Sequence, residues 1–114
     1  MVRARAGESV FSSLDVVRVA MCACEKRAAS IKAYCSELGE RAKNYWYCRD
    51  GMEVNWFSKT EFASCLRELG YRVKWETAFR KLRKEAERGE YITYLNGKGG
   101  TYKLLVRLTP FARG

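Results

Sequence analysis

The chain has no histidine and no glutamine among its 114 residues, and its single proline is Pro110. Without histidine, a His-based nucleophile or general base is excluded outright. The five cysteines, Cys22, Cys24, Cys35, Cys48 and Cys65, include no C-x-x-C pair. On a helix, the run C-A-C would point its two thiols about 200° apart. That spacing argues against a metal site, and no metal or cofactor is expected. It leaves the disulfide state of the five thiols open. No apolar run approaches the roughly 18–20 residues needed to cross a bilayer, so no membrane association is expected. Residues 1–8, "MVRARAGE", are basic but lead into no continuous apolar core with a cleavage site, unlike a secretory signal. The expectation is a cytoplasmic, intracellular protein, placed in the nucleoid or, for a viral source, in the host cell. Lack of glutamine beside abundant Arg and Glu is similar to the composition of hyperthermophile proteins, archaeal or viral. In such proteins intracellular disulfides occur. There is no phosphate-cradling glycine motif at a strand–helix junction and no acidic cluster suited to a metal-dependent nuclease. An enzyme is therefore not expected, and no small-molecule ligand is evident.

What the sequence does have is positive charge, unevenly placed. Residues 1–57 carry nine Lys and Arg against seven acids, whereas residues 58–114 carry thirteen against six. The net charge is +9. Clustered cations release counterions when they meet phosphates, so the C-terminal half points to a polyanionic partner. Plain solubility is the alternative reading.

After a loose basic arm, Leu14, Val17, Met21, Cys24, Ala28, Ile31, Cys35 and Leu38 follow alternating spacings of three and four. This is a heptad seam and predicts a long helix, capped at Ser13 and stopped at Gly39. The seam either docks on its own domain or pairs two chains as a homodimer. Next, in "YWYCRDGMEVNW", Asp50-Gly51 is a strong hairpin signal. The hairpin would set Tyr47 opposite Val54 and Tyr45 opposite Trp56, with Tyr45, Tyr47, Met52, Val54 and Trp56 on one face. "FSKTEFASCLRELG" reads as a complete helix. Ser58 and Glu61 form a capping box, Phe57 and Phe62 a hydrophobic staple, and Gly70 ends it. Its expected buried stripe is Phe62, Cys65, Leu66 and Leu69.

Three residues later, "VKWETAFRKLRKEAERGEYI" predicts a second helix. Trp75, Phe79, Leu82 and Ala86, with Ala78 beside them, form the expected buried face. Lys74, Thr77, Lys81, Lys84 and Arg88 form the opposite stripe, widened by Arg80 and Arg83. No acid interrupts that stripe, whereas a solvated helix face usually mixes signs. "YITYL" and "TYKLLVRL", joined by "NGKGG", then predict a hairpin with a basic, Gly-rich tip.

The order helix, short strand, helix, turn, basic helix and Gly-tipped hairpin resembles the winged helix-turn-helix of transcription regulators. The stretch "LRELGYRVKWETAFRKLRKEAERGEYI" carries the likeness. Gly70, Val73, Thr77, Ala78, Arg80, Leu82 and Gly89 hold the family's pattern positions, with Tyr91 and Ile92 entering the wing. The resemblance covers about residues 56–108. It departs at Glu85, where the family usually has a second leucine. Trp75 belongs to the buried stripe by spacing, yet sits where the family often places an exposed contact.

The resemblance implies an α+β fold, a winged helix-turn-helix over residues 45–110. An arm and long helix (residues 1–44) would precede it, as a dimerisation element within one compact unit, and the hairpin at residue 50 would be extra. It implies a DNA-binding transcriptional regulator whose partner is double-stranded DNA. The helix 74–88 would enter the major groove and the wing 91–108 would touch the backbone. Lys74, Thr77, Arg80 and Lys81 are the candidate base readers. Lys59, Arg72, Arg83, Lys84 and, at the wing tip, Lys98 are the candidate phosphate contacts. Two other readings compete. One is single-stranded nucleic-acid binding on Tyr45, Trp46, Tyr47 and Trp56. The other is a winged-helix subunit that meets an acidic protein.

Overall fold

The computed structural model describes residues 11–96 and 99–105. Lys98 and the closing Pro110, together with residues 106–108 of the expected last strand, lie outside the described residues. Among the described residues the fold is α+β, with three α-helices and a three-stranded antiparallel sheet.

Helix α1 runs Ser13–Leu38. Its cap is Ser12, one residue before the expected Ser13. Ser12 Oγ accepts from the Asp15 amide, while the Asp15 carboxylate accepts from the Ser12 amide at 3.0 Å. This reciprocal pair satisfies two amides that the first turn leaves orphaned. The helix stops at Gly39, whose φ of 62° suits a residue without Cβ. The buried stripe of α1 is wider than a heptad seam and confined to its first half: Val16, Val17, Val19, Ala20, Ala23 and Cys24. Of the seam, Val17 and Cys24 lie in the core and Met21 packs against it, whereas Leu14 is exposed. Ala28, Ile31, Cys35 and Leu38 are half-buried.

Two short 3-10 turns follow, Gly39–Asn44 and Trp46–Cys48. Here the expected hairpin is corrected. The turn at Asp50-Gly51 exists, with the Met52 amide donating to the Arg49 carbonyl at 3.1 Å and Gly51 at φ 75°. The two arms do not pair as strands. Strand β1, Trp56–Ser58, is instead bonded to a distant partner, and a Cys35–Cys48 disulfide folds the Tyr45–Cys48 segment back along α1. Tyr45 and Tyr47 therefore have no strand to pair with.

Helix α2, Lys59–Glu68, begins with the expected Ser58–Glu61 capping box. The staple is present too, with the Phe57 and Phe62 rings 6.0 Å apart and fully buried. Its end corrects one expectation, because Leu69 is 50 % exposed. The Tyr71 amide reaches back to the Leu66 carbonyl and the Gly70 amide to that of Arg67, with Gly70 at φ 82°. In this Schellman ending the residue after the glycine turns inward and the capping residue faces out. Tyr71 accordingly packs on the core. A second disulfide, Cys22–Cys65, joins α1 to α2.

Helix α3, Trp75–Arg88, ends at the left-handed Gly89 (φ 68°). Strand β2 is Ile92–Tyr94 and strand β3 is Thr101–Leu104. The sheet order is β1-β3-β2, so the returning strand inserts between the other two. In register, Trp56 faces Lys103 and Thr93 faces Lys103; Phe57 faces Tyr102, and Ile92 faces Leu104. Because side chains alternate, Phe57, Ile92, Tyr102 and Leu104 share the inner face, and Trp56, Thr93 and Lys103 the outer one. The core lies between that inner face, the first half of α1, Phe62, Cys65 and Leu66 of α2, and Ala78, Leu82 and Ala86 of α3.

Candidate nucleic-acid interface

The buried residues of α3 are Ala78, Leu82, Glu85 and Ala86. At about 100° per residue, this stripe is rotated by roughly 40° from the Trp75–Phe79–Leu82–Ala86 line expected from spacing. That rotation places two residues. Trp75, inside by spacing but an exposed contact by the resemblance, is 47 % exposed; its ring lies 4.0 Å from that of the half-buried Phe79, at the edge of the core. Glu85, which stands at the family's second leucine position and off the centre line of the basic stripe, is 5 % exposed. It sits at the start of α1, where Ser13 Oγ donates to Oε2 and the Arg88 guanidinium donates at 3.2 Å. A helix N-terminus favours a carboxylate, which offsets part of the desolvation. Among the described residues, Glu85 Oε1 has no hydrogen-bond partner.

The rotation also redistributes the charges. Lys81, a candidate base reader, is half-buried and donates from Nζ to the Phe11 carbonyl at 2.7 Å. It is committed to tying the chain ahead of α1 to α3. Thr77 is half-buried, and its Oγ1 accepts from Arg80 at 3.5 Å. Arg88 is held by Glu85 and Glu90. The face left open to solvent carries Arg80, Arg83 and Lys84, together with Glu76 and Glu87. The acid-free stripe expected from the sequence is therefore corrected to a face with both signs.

A basic band nonetheless survives. Arg72 and Lys74 are exposed in the link before α3. Lys59, at the first turn of α2, places its ammonium 5.1 Å from the centre of the Phe79 ring, a cation–π contact that joins α2 to the outer edge of α3. Towards the sheet, Arg83 lies close enough to Tyr94 and Tyr102 to favour their charged forms. Burial outweighs that influence and raises both phenols above the usual tyrosine range; Glu87 also raises Tyr94, and Tyr94 raises Tyr102. Tyr71 is raised too, first by burial and then by Asp15, whose carboxylate accepts its hydroxyl at 2.9 Å.

A second cluster gathers the aromatic residues of the competing reading. The Trp46 and Trp56 rings lie 5.7 Å apart, and Tyr47 is 5.7 Å from Trp46 and 5.4 Å from Tyr45. Tyr34 of α1, absent from the sequence reading, stacks with Tyr47 at 6.5 Å. Nothing in the local pattern marks Tyr34, because what brings it to Tyr47 is the Cys35–Cys48 bond. Burial, then the ionisable hydroxyls of Tyr34 and Tyr45 nearby, raise the Tyr47 hydroxyl above the usual tyrosine range. Lys103 was also missed. It sits in an apolar run, and only the sheet register puts it beside Trp56.

Among the described residues, Cys22, Cys65 and Glu68 bring three potential metal ligands within 4.8 Å. The two sulfurs are bonded to each other, however, which leaves a lone carboxylate. No described helix is long and apolar enough to cross a membrane. No protein-family model, curated protein or solved structure matches the chain.

Proposed function

We propose that this protein is a winged-helix, double-stranded DNA-binding transcriptional regulator that sets α3 in the major groove. The observation that carries the reading is the topology around α3. A capped helix and a short Schellman turn lead into it, and a hairpin leaves it whose second strand inserts between β1 and β2. In a winged helix this order exposes one helix flanked by a wing, and here the exposed face bears Arg80, Arg83 and Lys84.

The proposed contacts are narrower than spacing implied. Arg80 is the base reader, suited to guanine O6 and N7, with Lys74 beside it. Arg72, Arg83, Lys84 and Lys59 hold phosphates and set the register. Lys81 and Thr77 are supports. Glu76 and Glu87 on the same face repel phosphate, so they limit where the backbone runs and weaken non-specific docking.

For the dimer, Val17, Met21 and Cys24 serve the protein's own core and Cys35 is bonded to Cys48, so pairing is left to the end of the seam, at Ala28 and Leu38. Two reading helices would then face half-sites about 34–36 Å apart. Selection of bound sequences from a random duplex pool, with a single-stranded pool alongside, tests both points. Enrichment of a palindromic duplex is expected. Enrichment of duplexes with a single unrepeated site would remove the dimer, and no duplex enrichment at low salt would remove the regulator.

A further inference from the structure

We infer that the cleft between the second half of α1 and the start of the loop that follows β2 is a binding site for an unpaired nucleobase of a DNA strand. The cleft has a volume of about 580 Å³. Tyr34 of α1, Trp46 and Tyr47 of the 3-10 segment and Trp56 of β1 line it, with Arg27 and Asn96 at its polar edge. It is open to solvent, and Trp46 is 59 % and Tyr34 47 % exposed. Aromatic side chains left this bare cost solvation free energy unless something covers them, and a contiguous cluster of them marks a binding surface.

The chemistry of the lining selects the occupant. Four π faces in one cleft suit a planar ring system, and base–aromatic stacking tolerates any base. The lining residues include one cation, Arg27, and no acid. Arg27 is fixed through Nε by Glu61 at 3.0 Å, so it is positioned before any ligand arrives. Lys103, the register partner of Trp56 on the same face of the sheet, adds a second positive charge beside the aromatic wall. With Arg27 paired to Glu61, Lys103 is the charge left for a ligand; an apolar helix would gain nothing from it, whereas a nucleotide's phosphate would. Asn96 and Ser30 supply donors and acceptors for a base edge. A free nucleotide offers one phosphate group, whereas a strand also spends its neighbouring phosphates on the basic surface, so the strand is the assigned occupant.

The site rests on the nucleic-acid reading of the protein but not on α3. With α3 in a groove and the wing on the backbone, a cleft beside the wing's loop can take a base from a strand that runs on past the paired region. The protein would then prefer a duplex carrying an unpaired tail over a blunt one.

The test is anisotropy titration at fixed salt of a labelled blunt duplex, the same duplex with a short single-stranded tail, and the tail alone. Wild type is compared with Trp46→Ala, Trp46→Phe and Tyr34→Ala, each checked for fold by circular dichroism. The tail is expected to tighten binding about tenfold, the scale of one or two stacked bases. Trp46→Ala and Tyr34→Ala should erase the gain and leave blunt-duplex affinity unchanged, and Trp46→Phe should keep part of it. Equal affinity for tailed and blunt duplexes overturns the cleft while sparing the duplex reading. A Trp46-dependent affinity for the tail alone, with no blunt-duplex binding, does the reverse. Saturation of the cleft by a free mononucleotide, or a tail gain that survives both alanine variants, overturns the assignment.

Discussion

The two halves of α1 are one helix in two environments. From Val16 to Cys24 its side chains fill the core against α2, α3 and the sheet. From Glu25 to Leu38 no residue is buried, and the Cys35–Cys48 disulfide, with the Tyr34–Tyr47 stack beside it, ties the helix to the 3-10 segment. The first half is held by packing together with the Cys22–Cys65 bond, and the second chiefly by a covalent staple. The second half therefore adds little to the core and presents the aromatic cleft.

The largest effect that could break this comparison is loss of the Cys22–Cys65 bond, which lies in the packed half and closes 43 residues of sequence separation. On the chain-entropy account, replacing both cysteines by serine should cost about 4 kcal/mol, and Cys65 is in addition fully buried. The Cys35–Cys48 bond spans 13 residues. Its removal should cost about 3 kcal/mol or less, since the reduced segment can loosen without opening the core. Denaturant melts of the two double variants, with hydrogen exchange, check this. The first should lower global stability throughout, and the second should expose amides chiefly within residues 39–55. Equal global destabilisation by both would erase the distinction between the halves.

A smaller effect is expected where α1 begins. Glu85 stands where the resemblance calls for leucine, and its buried Oε1 has no partner among the described residues. Glu85→Leu should raise stability by about 1 kcal/mol, because a buried, half-satisfied carboxylate is often improved on by an apolar residue. Thermal melts decide it. A loss of stability would mean that the Ser13 and Arg88 contacts outweigh the orphaned oxygen.

How much of this was legible in the sequence follows the range of the interactions involved. Both capping boxes, the Phe57–Phe62 staple and the glycine stops are local, and their residues lie within a few positions of one another. The cap of α1 at Ser12 instead of Ser13 is the ordinary uncertainty of a boundary between two serines. The Asp50-Gly51 turn was legible, but the strands flanking it were not, because the partner of Trp56 is Lys103. The open face of α3 was misread because burial of Glu85 depends on Ser13, which lies 72 residues away in sequence. The cleft depends on which cysteines pair, and connectivity is not written in spacing.

The smallest expected effect concerns pH. Tyr71, Tyr94 and Tyr102 have their hydroxyls raised above the usual tyrosine value, in each case chiefly by burial. The folded state therefore holds these protons more tightly than the unfolded state does. Their contribution is fully present below about pH 10 and is lost as pH rises through the raised values. These three raised groups lie in or against the packed part, while Tyr47, also raised, stands beside Trp46, so alkaline melts should report loss of the core together with a change at Trp46. Stability that stays flat well above pH 10 would contradict this.

The central claim, that the open face of α3 reads duplex DNA, is tested most directly by titrating the selected duplex with wild type, Arg80→Ala and Lys81→Ala across a range of salt. Arg80→Ala should weaken specific binding by about 1–3 kcal/mol, and affinity should fall as salt rises. Lys81→Ala should lower stability through the lost bond to Phe11 while largely sparing affinity in the folded protein. Unchanged binding by Arg80→Ala, or an equal loss of affinity in folded Lys81→Ala, would contradict the assignment.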